Sequence, residues 1–282
     1  MFQQITILGT GLLGASIAMA VRKHSLSERI VSWSRSPHTR ARCADAEWCD
    51  QVHESPAKAV EGSGLVVLCT PVQTIVPLLA EIAPRLDKDS IVTDVGSTKQ
   101  NICVGAQALQ APGFTFIGSH PMAGSEQSGM DSARSDLFSS AACILTPEHC
   151  TPAEKTARLR SFWEKLGMTI HEMSPRQHDE TIAHISHLPH LLATTLCNAL
   201  TKKPQDWALL AGGGLRDTTR IAAGDPALWR QILSDNREAV LQSMEGLEKE
   251  LAAFRRILAE NDEAALQKAL ASGKAYREGL RP

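Results

Sequence analysis

The chain has 282 residues, enough for one large domain or two ordinary ones, and its 43% hydrophobic and 21% charged content excludes a disordered or collagen-like polymer. Twenty-nine Lys and Arg against 31 Asp and Glu leave a formal net charge of -2 with no basic block, so no nucleic-acid partner is expected. No apolar run approaches the roughly 18 to 20 residues of a membrane span, and the N-terminus lacks the order of a signal peptide.

A cytoplasmic protein with no membrane partner is therefore expected. The seven cysteines (Cys43, Cys49, Cys69, Cys103, Cys143, Cys150, Cys197) are odd in number, scattered and without a CxxC pair, which speaks against a disulfide framework or structural zinc.

In chain order, MFQQITILGTGLLGASIAMAVRK reads as a β-prone run, a glycine turn and a helix with apolar positions at Leu13, Ile17 and Val21. Further strands are expected at Arg29 to Trp33, Gly64 to Thr70, Ser90 to Val95, Phe114 to Gly118 and Cys143 to Thr146, with helical segments between them. Short apolar strands alternating with helices predict an α/β, doubly wound, mostly parallel sheet, placed at residues 1–173. From Ser174, which reads as an N-cap before Pro175, strand-like runs stop and an all-α second domain is expected at 174–282. Within it Val240, Met244, Leu247, Leu251, Phe254 and Leu258 step by 4, 3, 4, 3, 4. That spacing fits an amphipathic core helix or, alternatively, a homodimer seam. The run Ala211-Gly212-Gly213-Gly214-Leu215 breaks the helical half and suits a bend or a close approach to ligand.

Gly9, Gly11 and Gly14, with Leu12 and Leu13 between them, form GTGLLG at the first strand-to-helix junction. There a tight turn, a close backbone approach and a helix N-terminus together suit a dinucleotide pyrophosphate. Thr70 and Pro71, ending the third strand, are expected beside it. About 20 residues after the turn, where an NAD site normally carries an acid, the chain reads Trp33-Ser34-Arg35-Ser36. Without a carboxylate to repel it, a 2′-phosphate can be held by Ser34, Arg35 and Ser36, so NADP is expected in preference to NAD. Arg35 as a solvated residue of an enzyme that takes either cofactor is the plain alternative.

Three further segments carry polar residues that a core does not need: Gly96-Ser97-Thr98-Lys99, GSHPMAGSE from Gly118 to Glu126, and SHLPH from Ser186 to His190. Pro121 disfavours helix at His120 and points to an extended loop in which the imidazole can act as a base near neutral pH. His187 and His190 share a helix face that Pro189 is expected to kink, and no acid or thiol at ligand spacing makes a metal site of them. In LRDTTRIAAGDPALW, Arg216 and Arg220 lie four apart on an expected helix beside Asp217, a spacing that suits a carboxylate, with Trp229 in the core as the bland reading.

GTGLLG, DVGSTK, GSHPMAGSE, SHLPH and RDTTRIAAGDPALW in that order, across roughly residues 7 to 229, resemble the prephenate and arogenate dehydrogenases of tyrosine biosynthesis. The resemblance implies oxidative decarboxylation with hydride transfer to NADP or NAD, a Rossmann-type domain followed by a helical dimerisation domain, and a small dicarboxylate substrate. It further implies that His120 bonds the substrate ring hydroxyl, with Ser97 near the same hydroxyl and the nicotinamide. His190, with His187 beside it, contacts substrate, and Arg220 binds its carboxylate. Glu126, with Ser125, and Asp217 order the site, Gly213 lines it, and Trp229 lies near a dimer-related pocket. Because the chain ends at Pro282 and begins at Met1, a monofunctional enzyme is expected, with any tyrosine inhibition at the active site. The rival readings are a reductase of β-hydroxyacids or imines, which does not explain GSHPMAGSE with SHLPH, and a non-catalytic dinucleotide-sensing dimer, which needs no base, hydroxyl ligand and carboxylate clamp.

Overall fold

The computed structural model describes residues 2–109, 113–123, 127 and 129–280. Strand β1 (Phe2–Leu8), helix α1 (Leu12–Lys23) and strand β2 (Ser27–Trp33) form the first βαβ unit. Helix α2 (Pro37–Ala44), strand β3 (Gln51–Val52), helix α3 (Pro56–Ala59), strand β4 (Leu65–Leu68), helix α4 (Val72–Ile82), strand β5 (Ile91–Asp94), helix α5 (Gln100–Leu109) and strand β6 (Thr115–Phe116) continue the alternation. Among the described residues these six strands make one parallel sheet in the order β3-β2-β1-β4-β5-β6. In β4, Leu65 and Val67 enter the core on one face while Val66 and Leu68 enter the other, so an unbroken apolar run is what a sheet covered on both sides requires.

The expected strand from Phe114 to Gly118 is two pieces. β6 closes the large sheet, and strand β7 (Gly118–Pro121) pairs antiparallel with β8 (Ala142–Thr146), which after helix α6 (Ala153–Lys165) pairs parallel with β9 (Thr169–Glu172). The switch occurs at Gly118, where a Cβ would lie 2.4 Å from Thr146 Oγ1 and 3.0 Å from the Lys99 side chain. His120 consequently sits in a strand opposite Ile144, a correction to the extended loop read from Pro121, whose ring is compatible with the end of an edge strand.

Beyond Ser174 the described residues are helical. Ser174 and Gln177 form a reciprocal capping box at helix α7 (Pro175–Ile182). A π-helical turn (Ala183–His187) joins it to helix α8 (Leu188–Leu200). Pro189, expected to kink this stretch, follows directly on that wider π turn, which suits a residue that has no N–H to donate and whose ring would crowd an i-4 carbonyl. Helix α9 (Gly213–Thr219) follows the glycine run and ends where Thr218 and Thr219 turn their hydroxyls back to Gly214 and Leu215 carbonyls at 2.8 and 2.7 Å. Arg220 therefore opens a 3-10 turn (Arg220–Ala223) instead of continuing the helix of Arg216. Asp225 caps helix α10 (Pro226–Asp235).

Two compact units result, the first ending at Asn236 and the second beginning at Arg237. The second consists of helices α11 (Arg237–Glu260) and α12 (Glu263–Gly279), which pack on each other across a turn where Asn261 has φ 54°. On α11, Leu251 and Leu258 of the heptad-spaced seam are 57% and 62% exposed in the single chain.

Candidate active site

At the C-terminal edge of the parallel sheet the strand order reverses between β1 and β4, the place where an open α/β sheet opens a crevice. A cleft of about 450 Å³ lies there, lined among others by Gly9, Gly11, Ser34, Arg35, Thr70 and Pro71. Gly9 has φ 99°, and a Cβ on it would stand 2.7 Å from the Cys69 carbonyl oxygen; on Gly14 it would stand 2.0 Å from the Gly9 oxygen. A Cβ at Gly11 would meet nothing within 4 Å, so the turn is packed beneath and open above. Helix α1 starts without a side-chain cap or an acid in its first turn, leaving backbone N–H groups at Leu12 and Leu13 for an anion. Thr70 Oγ1 is buried with no hydrogen-bond partner among the described residues. Glycine crowding, free helix N–H groups and an orphaned hydroxyl fit a bound dinucleotide.

The far end of the cleft is organised in part by Arg40, Arg42 and Asp131, which sequence reading missed. Arg40 donates to the carbonyls of Ser34 and Arg35 at 2.8 and 3.0 Å, and Ser36 caps α2. Arg42 pairs with Asp131 at the rim. Leu12, Leu13, Gly14 and Ser36 support the cleft without lining it.

The second cluster gathers around β7. His120 is 7% exposed, and its Nδ1 lies 2.8 Å from His178 Nε2. His178 Nδ1 lies 2.8 Å from Asp179 Oδ1. The same carboxylate accepts the backbone N–H of Lys99 at 2.8 Å and of Gln100 at 2.9 Å, capping α5 from α7. Beneath it Lys99 and Asp94 form a fully buried ion pair, and Asp94 also accepts N–H groups of Gly96 at 2.8 Å and Ser119 at 3.3 Å. Burial, then the neighbouring His178, Lys99 and His187, hold His120 well below the ordinary imidazole range. Burial also lowers His178, only partly offset by its bond to Asp179. Burial would raise Asp179, but hydrogen bonds from His178 and from the Gln100 and Lys99 backbones outweigh it and keep it below the ordinary carboxylate value. The resting cluster is thus two neutral imidazoles ending on a carboxylate.

His187 and His190 are also buried, at 1% and 6% exposure. Asn236 Nδ2 donates to the Asp179 carbonyl at 2.8 Å and meets His187 Nδ1 at 3.2 Å. Burial foremost takes His187 down to about 4. His190 is lowered by burial against a raising bond to the Ile221 backbone, and it stacks on Trp229 with ring centroids 3.5 Å apart and planes 8° apart. Trp229 is therefore partner to the histidine and not plain core; Gly224 makes room, since a Cβ there would stand 2.5 Å from the indole nitrogen. His187 Nε2 and His190 Nδ1 have no partner among the described residues.

Ser97 sits half-buried in the loop between β5 and α5. Gly213, Asp217 and Arg220 are exposed, and a Cβ at Gly213 would meet nothing within 4 Å. Ser125 and Glu126 lie outside the described residues. His178, Asp179 and Asn236 were missed by sequence reading. Their only local signal is an adjacent His-Asp pair one turn after the Ser174 cap. Among the described residues no group of three His, Cys, Asp or Glu is placed to hold a metal ion, and no helix is long and apolar enough to cross a membrane. The cysteines are unpaired.

Comparison with known proteins agrees with this layout. The family model described as prephenate dehydrogenase, nucleotide-binding domain, matches residues 17–172, and the model described as prephenate dehydrogenase, dimerization domain, matches 174–272. A prephenate dehydrogenase of Bacillus subtilis is 33% identical over 280 residues, covering 98% of this chain and 76% of that one. The structure of A. aeolicus prephenate dehydrogenase in complex with hydroxyphenyl propionate and NAD+ superposes with TM-score 0.92 at 31% identity, covering 98% and 97% of the two chains. Synechocystis arogenate dehydrogenase superposes with TM-score 0.85 at 32% identity over 98% and 99%. With both domain models matched in order along a Rossmann sheet and its helical continuation, the chain belongs to the prephenate dehydrogenase family.

Proposed function

We propose that the protein oxidatively decarboxylates prephenate, arogenate or both, to 4-hydroxyphenylpyruvate or tyrosine, with hydride transfer to NADP in preference to NAD. The observation that carries the reading is a buried, neutral imidazole, His120, tied at Nδ1 and set on the strand whose Ser119 bonds Asp94 at the end of the dinucleotide sheet. The relatives' names and the A. aeolicus complex support the reaction class.

The nicotinamide, when bound, supplies the hydride acceptor. His120 draws the proton from the ring hydroxyl as hydride leaves the same carbon. The bond to the ring carboxylate breaks, its electron pair enters the ring as CO₂ departs, and aromatisation drives the change. The proton returns to the phenolic oxygen, so none is consumed. Ser97 hydrogen-bonds near that hydroxyl. His190, held flat by Trp229, and His187 offer their unpartnered ring nitrogens to substrate oxygens. Arg220 binds a carboxylate as a permanently charged planar donor, and Asp217, Gly213, Ser125 and Glu126 take the substrate-binding roles that the resemblance implies.

NADP is favoured because Ser34 and Arg35 line the cleft with no carboxylate at the C-terminal end of β2, where the chain reads Trp33-Ser34-Arg35-Ser36, and the rim acid Asp131 is already paired with Arg42. The dimerization-domain match and the exposed Leu251 and Leu258 support a homodimer through the helical domain, and the two family-model matches support a functional division into 1–173 and 174–282; the protein is assigned to the cytoplasm.

Steady-state kinetics with prephenate and arogenate, each with NADP+ and NAD+, test this. Turnover of at least one substrate is expected, with the higher kcat/KM for NADP+; a large advantage for NAD+ rejects the cofactor assignment. His120→Asn should lower kcat by about 100- to 10,000-fold while cofactor binding survives. Unchanged turnover removes His120 from its role.

A further inference from the structure

We propose that His178 and Asp179 are positioning residues that work through His120 as a proton relay, Asp179–His178–His120, during oxidation of the substrate hydroxyl. The proposal rests on the reading of His120 as the base.

The tautomers follow from the partners. An ionised Asp179 can only accept, so His178 Nδ1 carries the hydrogen in the 2.8 Å contact. A neutral His178 then has its lone pair on Nε2. His120 Nδ1, 2.8 Å away, must be the donor. His120 is thereby left with its lone pair on Nε2, the form a base needs, and held there without any help from substrate. Asp179 cannot swing away, because the α5 N-terminus holds both of its oxygens. Asn236 ties its backbone carbonyl as well.

The same chain moves charge. The substrate O–H proton goes to His120 Nε2, and the His120 Nδ1 proton goes to His178 Nε2. The electron pair of the broken O–H bond stays on substrate oxygen. The positive charge ends on His178 beside the Asp179 carboxylate. A lone imidazolium at His120 would instead sit buried near Lys99 with no acid in direct contact among the described residues. Return of the phenolic proton reverses both transfers. Among the described residues, the other charged or titratable groups facing the pair are Asp94 at the end of β5, Lys99 from the β5–α5 loop and His187 from the π turn. A purely structural His178 would need neither a fixed tautomer nor a coupling to the pH profile.

The test is His178→Gln, whose amide oxygen can accept the His120 N–H but cannot carry a proton. The expected result is kcat lower by about 10- to 100-fold, substrate KM and cofactor Kd within about threefold, and the acid limb of kcat displaced to lower pH, since the protonated His120 loses its outlet. Should the variant fail to fold or to bind cofactor, ¹⁵N NMR of histidine-labelled wild-type enzyme decides: His120 protonated on Nδ1 supports the relay, and protonation on Nε2 overturns it. A kcat within threefold of wild type and an unmoved acid limb also overturn it. His120→Asn, run in parallel, separates the two ideas: collapse there with a silent His178→Gln leaves the base and removes the relay, whereas silence in both removes the base.

Discussion

The Lys99–Asp94 pair gives the sharpest stability prediction, because both side chains are 0% exposed and one partner can be deleted with little change of shape. Lys99→Met keeps the buried stem and removes only the ammonium. Asp94 then retains two acceptor bonds, from Gly96 at 2.8 Å and Ser119 at 3.3 Å, which compensate its charge only partly. Breaking a buried pair from one side costs about 3 to 5 kcal/mol, and the two surviving bonds place this case near 3. For a unit of this size, with an unfolding entropy of about 0.5 kcal/mol/K, that is a fall in Tm of roughly 6 °C. Adding Asp94→Asn removes the stranded charge and leaves one amide oxygen for the two N–H groups, so the double variant should recover about half of the loss or more. Differential scanning calorimetry on wild type, single and double variants reads all three. A single variant within about 2 °C of wild type, or a double variant no better than the single, refutes the argument.

Acid should destabilise the fold through its buried histidines. His187 falls from 6.5 unfolded to about 4 folded, so the unfolded chain binds the extra proton and stability is lost as pH falls between those values, to a total of about 3 kcal/mol. His187→Gln should flatten the dependence of Tm on pH over that window, and an unaltered slope would contradict it. At the cofactor cleft, Arg35→Ser should raise KM for NADP+ about tenfold or more and leave NAD+ within about threefold, measured by initial rates. Equal effects on both cofactors would mean that Arg35 does not meet a 2′-phosphate. Leu251→Glu with Leu258→Glu should convert a dimer to monomer in light scattering after gel filtration. A variant that stays dimeric places the interface elsewhere.

The parts of the fold legible in the sequence are those set by near neighbours in the chain. The glycine turn, the apolar β4 run, the Ser174 cap and the change to helix after it all follow from steric and hydrogen-bonding constraints acting within a few residues. The division of the 114–121 segment between two sheets was not legible, because it depends on Thr146 and Lys99 pressing against Gly118. Nor was the end of α9 before Arg220, where threonine hydroxyls compete for carbonyls that the periodicity assigns to the helix.

By itself the sequence determined the family, the dinucleotide turn and the single imidazole of chemical interest, since each is carried by a contiguous motif. Only the tertiary structure decided what that imidazole rests on. His178 lies 58 residues from His120, and Asp179 lies 80 residues from the Lys99 N–H that it accepts. Such partners have no common period or spacing; they meet because α7 packs against α5 and β8 and its carboxylate satisfies the open N-terminus of α5.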